Sequence, residues 1–371
     1  MRVHEMKYAR RWAVPVAFSV LLALFLTLPI AAQTPEPGGG KLKVMTYNTY
    51  VGTEYAGMTS LKLADFLQAA TNLALDVRAS DPAGRAQAVA REVVANSPHL
   101  VSLQEVFTLS TGPTKDNLTT EFDYLQLLLD ALAAQGAQYR LVFYRTTWDA
   151  TVPSTIGWGR NTWAVAILAR SDLKPEHFSF TNAQGGTWTA VLSVHLYALD
   201  GHADLCPNDL RASDASCRMP MPRGWVSADI TYRGEQFRFI GAHLDSASAL
   251  LEVPQGLELL NGPAKTTLPV IVAADLNADC SDSSDATCAT YDNFIKAGFK
   301  DAWAAANPLD PGYSKTLPNL NKRSDYVMVR DLFAVQSAAL VGEKPSDMTM
   351  TGLYPSDHAG VSVKFNHPRW K

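Results

Sequence analysis

Several short apolar runs in this chain stop against a residue that can bind a metal or move a proton, and that pattern constrains the fold more than any other feature. Leu42-Lys43-Val44-Met45-Thr46-Tyr47 alternates as a half-buried strand does and ends at Asn48. Leu100-Val101-Ser102-Leu103 ends at Gln104-Glu105, residues 237–242 end at His243, and residues 270–274 end at Asp275. Tyr326-Val327-Met328-Val329 is instead preceded by Asp325. Each of these polar residues is a candidate for chemistry at the end of a strand.

Helical stretches lie between the runs. Residues 85–96 are stopped by Ser97-Pro98, residues 124–135 by Gly136, and residues 61–75 carry an apolar stripe of helical period. Residues 225–232 and 235–242 read as an antiparallel pair turning at Arg233-Gly234, and residues 188–195 also read as an antiparallel strand. The second half has no regular strand–helix–strand rhythm, which predicts mixed sheets packed on each other with helices outside. No self-similarity at 20–50 residues points to a repeat. One domain over residues 41–371 is therefore expected.

The first 32 residues read as a signal peptide. Arg2, Lys7, Arg10 and Arg11 precede an almost wholly apolar stretch, and Ala31-Ala32 offers small residues for cleavage before Gln33. An uncleaved membrane anchor is the alternative, since the apolar stretch lies at the lower limit for spanning a bilayer. Residues 33–40, rich in Pro and Gly, form a linker. Without the signal the chain holds 28 basic and 35 acidic residues, a net of −7. That balance argues against a protein that coats nucleic acid through phosphate contacts, but not against an enzyme whose bound cation supplies the positive field. The four cysteines form two close pairs in loop-like sequence. In an exported protein they predict two local disulfides, Cys206–Cys217 and Cys280–Cys288. Their spacing does not suit a zinc site. Secretion, or export to a periplasm, is expected.

Phosphoester hydrolysis needs cations on the non-bridging oxygens, an activated water and stabilisation of the leaving alkoxide. Hard cations take carboxylate and amide oxygens, which Glu105, Asp275, Asn277, Asp357 and Asn48 can supply. His358, with Asp325 as its orienting partner, can carry a proton near neutral pH. The segments VMTYNTYVG, HLVSLQEV, IGAHLDS, VIVAADLNAD, RSDYVMV and YPSDHAGV together resemble, in chain order, the endonuclease/exonuclease/phosphatase superfamily. This family includes secreted DNases, abasic-site endonucleases, neutral sphingomyelinases and inositol-phosphate phosphatases. The resemblance runs from about residue 42 to 363. It implies an α/β fold, a four-layer α-β-β-α sandwich of two packed, mostly antiparallel sheets.

The resemblance also implies roles. Glu105 is the principal ligand of Mg²⁺ or Mn²⁺, one or two ions, with Asn48 and Asp357 beside it. Asp275 and Asn277 position the water and phosphate or hold a second cation. His358, oriented by Asp325, is the general base or polarises the phosphate. His243 contacts the phosphate and can act as general acid. Family members often read Gly-Asp-Phe-Asn where this chain has Ala274-Asp275-Leu276-Asn277, Pro-Asp-Leu where it has Pro98-His99-Leu100, and RIDY where it has RSDY. None of these departures removes a metal-binding atom. Arg160 and Asn161 precede the stretch that replaces GVAILS, which makes them candidate phosphate contacts.

A phosphodiester substrate is expected, nucleic acid or a phospholipid headgroup, acted on by a monomer without a stable protein partner. The alternatives are a phosphomonoesterase on a small compound and a silent binding module on the same scaffold. All eight motif residues are present, which disfavours silence. A serine hydrolase is disfavoured because there is no G-x-S-x-G and Ser356, Asp357 and His358 are contiguous. Trp148, Trp158 and Trp163 either pack beneath a loop or present rings to a base or a lipid interface. Residues 197–223 are either a substrate-facing loop or decoration.

Overall fold

A computed structural model describes residues 41–55, 62–196, 218–280, 284–331 and 333–366. The signal peptide, the linker and the Cys206–Cys217 pair lie outside the described residues. The elements run β1 (Lys41–Asn48), α1 (Leu63–Ala79), α2 (Pro82–Asn96), β2 (Leu100–Thr114), β3 (Asn117–Asp123), α3 (Tyr124–Ala134), β4 (Tyr139–Ser154) and β5 (Gly157–Arg170). Then come β6 (Phe178–Thr187), β7 (Leu192–His195), β8 (Arg218–Met221), β9 (Gly224–Tyr232), β10 (Glu235–His243), α4 (Ala249–Asn261) and β11 (Val270–Asp275). The last are α5 (Cys288–Lys296), β12 (Lys300–Asp301), α6 (Ala302–Ala306), β13 (Asp325–Arg330), β14 (Ala334–Val341) and β15 (Gly360–Asn366).

One sheet has the order β14-β15-β1-β2-β5-β4, with β3 on β2; the other has the order β12-β13-β11-β10-β9-β6. The pairs β1/β2 and β10/β11 are parallel and the other pairs of the two sheets antiparallel. Strand periodicity explains how the layers stack. In β11, Ile271 and Ala273 face the first sheet, while Val270, Val272 and Ala274 face outward. In β1, Leu42 and Val44 face inward and Met45 and Tyr47 outward. The outward residues of the first sheet pack with Phe66 of α1, Val89 of α2 and Leu128 of α3. Those of the second pack with Leu259 of α4 and Phe294 of α5. Helix, sheet, sheet and helix are thus the four layers expected.

The turn at Arg233-Gly234 is where the sequence placed it, with both residues at positive φ, 50° and 83°. One expectation fails. The strand at residues 100–103 does not stop at Glu105 but continues to Thr114. The register against β5 slips between Leu103 and Val106, and Glu105 takes φ 54°, so a bulge there re-aims its carboxylate without ending the strand.

Near the strand ends the sheets approach closely. A Cβ on Gly241 would collide with the Ser102 hydroxyl, so any side chain at this inward position would have to displace Ser102. No helix among the described residues is long and apolar enough to cross a membrane.

Away from the strand ends, α4 buries Glu252 completely, and neither carboxyl oxygen has a hydrogen-bond partner. Burial, with smaller contributions from Asp285 and Asp245 and opposed by the Thr290 hydroxyl, pushes its pKa up to about 8. A raised folded-state pKa gives stability that is complete below the ordinary carboxyl value and is lost as pH rises through about 8. Unfolding midpoints should therefore fall between pH 5 and pH 8.5 on this account. Glu252→Gln should flatten that fall by on the order of a few kcal/mol. Parallel pH–stability curves for the two proteins would refute this.

Candidate active site

The strand-end residues meet because they share one parity. Asn48, His243, Asp275 and Asp325 each continue the inward-facing alternation of their strand. Parallel and antiparallel registers align His243 with Asp275 and Asp275 with Asp325 across three neighbouring strands. Strand β1 delivers Asn48 from the opposite sheet, and its amide Nδ2 donates to Asp275 Oδ2 at 2.9 Å and to Glu105 Oε1 at 3.1 Å. The Asn48 amide oxygen accepts from the Tyr50 backbone N–H at 3.0 Å. Asn48, expected among the cation's ligands, here bridges two carboxylates.

Glu105 Oε2 accepts from the Val51 N–H at 3.0 Å. Asp275 Oδ1 accepts from the Asn277 N–H at 3.1 Å, while Asn277 Nδ2 donates to the Leu244 carbonyl at 2.9 Å. Asn277 itself sits at φ 50°. The loop after it is tied to the start of α5 by the Cys280–Cys288 disulfide, one of the two expected. Its sulfurs are engaged with each other, which leaves no thiolate pair for zinc.

His358 and Asp325 form a buried dyad, Nδ1 to Oδ2 at 2.8 Å, with both side chains at most 1 % exposed. Ser314 Oγ donates to the same Asp325 oxygen at 2.8 Å and accepts from the Asp325 and Ser324 N–H groups. Because that hydroxyl serves Asp325, it is not placed as a nucleophile beside His358. His358 Nε2 lies 4.0 Å from both Asp275 and Asp357. Burial disfavours the imidazolium, but the carboxylates of Asp325, Asp357 and Asp275 outweigh it and hold the pKa up at about 10. His243 lies 3.4 Å from Asp275 Oδ2 and 3.9 Å from Glu105 Oε1. Burial and the neighbouring Arg223, Lys315 and His358 push its pKa well down. His243 is thereby placed to hydrogen-bond the Asp275 carboxylate. Burial chiefly, then Asp325, raises the Asp275 carboxyl.

Glu105, Asp357 and Lys315 are half-buried and open onto a cavity of about 420 Å³, with Glu54, Tyr50 and Arg223 around it. Burial raises the pKa of Glu54, and so do the carboxylates of Asp357 and Glu105. The carboxylates among these residues repel one another and offer the oxygen donors that a hard divalent cation takes. A second acid/base group, Asp275, Asp325 and His358, is tied together by hydrogen bonds of Asp275 Oδ2 and Asp325 Oδ2, while the buried Asp325 Oδ1 has no hydrogen-bond partner.

Arg160 and Asn161 are not brought to this cluster. Arg160 is exposed and paired with Asp149 through Nε to Oδ1 at 2.8 Å. Asn161 is buried and lines a separate apolar cavity. Trp148 and Trp163 are core residues, 5 % and 3 % exposed. They face each other across β4 and β5 with ring centroids 4.4 Å apart, while Trp158 is half-buried near the hairpin turn.

Lys315 had no sequence signal. It lies in an irregular Pro/Asn-rich stretch and reaches the site through isolated bridges to Lys322 and His358, with Nζ 3.5 Å from Asn277 Oδ1. Burial opposes its charge, but Asp275, Asp357, Glu105 and Asp325 raise its pKa. Arg223, stacked over the Trp163 ring at 4.7 Å, was equally hidden.

A family model described as the Endonuclease/Exonuclease/phosphatase family matches residues 45–358. Solved structures share the fold at low identity. A family protein from Bacteroides thetaiotaomicron is 17% identical, with TM-score 0.52 over 88% of this chain and 98% of its own. The mannosyl-6-phosphatase of the same organism is 16% identical, with TM-score 0.50 over 88% and 99%. A humanized D. rerio TDP2 is 17% identical, with TM-score 0.51 over 88% and 100%. No curated protein matches the chain.

Proposed function

The chain belongs to the endonuclease/exonuclease/phosphatase family of phosphoester hydrolases, and on that premise we propose that it is an exported, divalent-metal-dependent phosphodiesterase. The observation that carries the reading is the junction of the Glu105–Asn48–Asp275 network with the buried Asp325–His358 dyad, behind a cavity that Glu105, Lys315 and Asp357 line. Glu105 and Asp357 would hold Mg²⁺ or Mn²⁺, which when bound supplies Lewis acidity to the phosphoryl oxygens.

The chain's own residues divide the remaining work. Asp275 has a carboxyl raised by burial and oriented by Asn48 and Asn277, and it accepts the proton of the attacking water. His358 is tied at Nδ1 to Asp325, so its imidazolium offers the Nε2 proton to a phosphoryl oxygen. Lys315 and Asn277 bind the phosphate, and neutral His243 keeps the Asp275 carboxylate aimed. A diester is favoured over a monoester because the cavity beside Glu105 and Asp357 has a second wall, Leu192, Val194 and Met221, that can receive a second ester group. Export rests on the signal-like leader and the disulfide, which persists in oxidising compartments.

Purified protein should hydrolyse bis(p-nitrophenyl) phosphate with Mg²⁺ or Mn²⁺, lose that activity in EDTA and regain it when the metal is restored. It should act more slowly on p-nitrophenyl phosphate. Turnover that persists through chelation would remove the metal from the reaction.

A further inference from the structure

The cavity above the carboxylates has a second, quite different wall. Strands β7 and β8 form a two-stranded ribbon in which Leu192 opposes Met221 and Val194 opposes Met219. Alternation puts these four side chains on one face, while Ser193, Arg218 and Pro220 are exposed on the other. Leu192, Val194 and Met221 line the same cavity as Glu105 and Asp357. Met219 continues the stripe into an adjoining apolar cavity of about 50 Å³, bounded by α1 and β4, and Tyr55 borders both cavities. In that second cavity the indole N–H of Trp148 and the amide oxygen of Asn161 are buried without a hydrogen-bond partner.

The aromatic rings nearby do not offer a stacking platform. Trp163 is covered by the Arg223 guanidinium, by Trp148 at 4.4 Å and by the edge-on Tyr55 ring at 4.8 Å. A nucleobase would have to displace one of these neighbours to stack. Tyr50, with the Arg85 guanidinium over its ring, and Tyr55 also border the cavity, and the rest of its apolar wall is the aliphatic Val51, Leu192, Val194, Met221 and Ala247.

We propose that the phosphoester cleaved here carries an aliphatic chain, seated along Leu192, Val194 and Met221 toward Tyr55, so that the substrate class is an amphiphilic alkyl or acyl phosphodiester rather than a polynucleotide. This inference rests on the phosphoesterase reading for turnover, but chain binding can be read without it. Each buried methylene contributes roughly fourfold in affinity or kcat/KM.

The test compares p-nitrophenyl esters of methyl, butyl and octyl phosphate, below their micellar concentrations, with thymidine 5′-(p-nitrophenyl phosphate). With about three or four of the seven added methylenes buried, kcat/KM is expected to rise by about 10²-fold from methyl to octyl, and Met221→Ser and Leu192→Ser should each cut the octyl-to-methyl ratio about tenfold. Thermal unfolding checks that both variants are folded. A flat alkyl series, or a nucleotide ester preferred over the butyl ester, overturns the proposal. Calorimetric binding of octyl phosphate against methyl phosphate gives the arm that needs no turnover. Octyl should bind at least ~10-fold tighter, and equal affinities overturn the chain site. If octyl phosphate binds selectively but no ester is cleaved, the phosphoesterase reading fails and the chain site stands.

Discussion

His358→Ala should lower kcat for bis(p-nitrophenyl) phosphate by roughly 10²–10⁴-fold, the range for loss of a positioned proton-transfer group. The dyad predicts more than a simple loss. The most direct route from Asp325 to the reaction is the 2.8 Å bond to His358 Nδ1, so Asp325→Asn should itself cost much of that factor. The double variant should then be little worse than His358→Ala alone, because residues that act as a unit are not additive. The sign of the pH effect follows from the charges. Asp325 is the foremost group raising the His358 pKa against burial, and without it the imidazolium is lost at lower pH. The deficit of Asp325→Asn relative to the parent should therefore widen between pH 6 and pH 9. Steady-state kinetics on variants shown by circular dichroism to be folded would check this. Turnover of His358→Ala within threefold of the parent would take His358 out of the reaction.

The second large effect is on folding, at a residue with no apparent chemistry. Arg85 on α2 is 2 % exposed, and its guanidinium donates to the carbonyls of Thr49, Tyr50 and Ser80 at 2.8–2.9 Å and to the Ser80 hydroxyl at 3.0 Å. It also lies against the rings of Tyr50 and Tyr124. These bonds hold the turn after β1, where Tyr50 sits at φ 56° and supplies the N–H that orients Asn48. Gly52 completes the turn at φ 93°, where a side chain would strike Ser80. Arg85→Met leaves several buried carbonyls unpaired and should cost about 3–5 kcal/mol by urea denaturation. Arg85→Lys should recover little, since an ammonium cannot reproduce the planar fork. A loss below about 1 kcal/mol for Arg85→Met would show that the carbonyls find other donors.

Arg85 and Glu105 show how far local sequence carries. Helix α2 was visible from its apolar stripe and its stop at Ser97-Pro98, but nothing local marks Arg85 as a buried donor to a loop more than thirty residues earlier. Glu105 was visible as a site residue, yet it was read as the end of a strand when it sits in a bulge within one. A bulge depends on two-against-one pairing with a neighbour, here β5, and so is not encoded in the run of apolar residues alone. The tryptophans were ambiguous for a related reason. Only the cross-strand pairing of β4 with β5 decides that Trp148 and Trp163 cover each other.

The chain by itself determined the layered α/β class and the identity of the strand-end residues, because alternation, helix stops and ordered motifs are local or near-local in sequence. Asn48, Glu105, His243, Asp275, Asn277, Asp325, Asp357 and His358 were all named on that basis. Only the tertiary structure decided which of them touch, that Asn48 bridges two carboxylates, and that Arg160 and Asn161 stay away. It alone brought in Lys315, Arg223 and the aliphatic face of the β7–β8 ribbon. Those features depend on sheet register and on the closing of two sheets over one edge, and such contacts join residues hundreds of positions apart, as Asn48 and Asp275 are joined across 227.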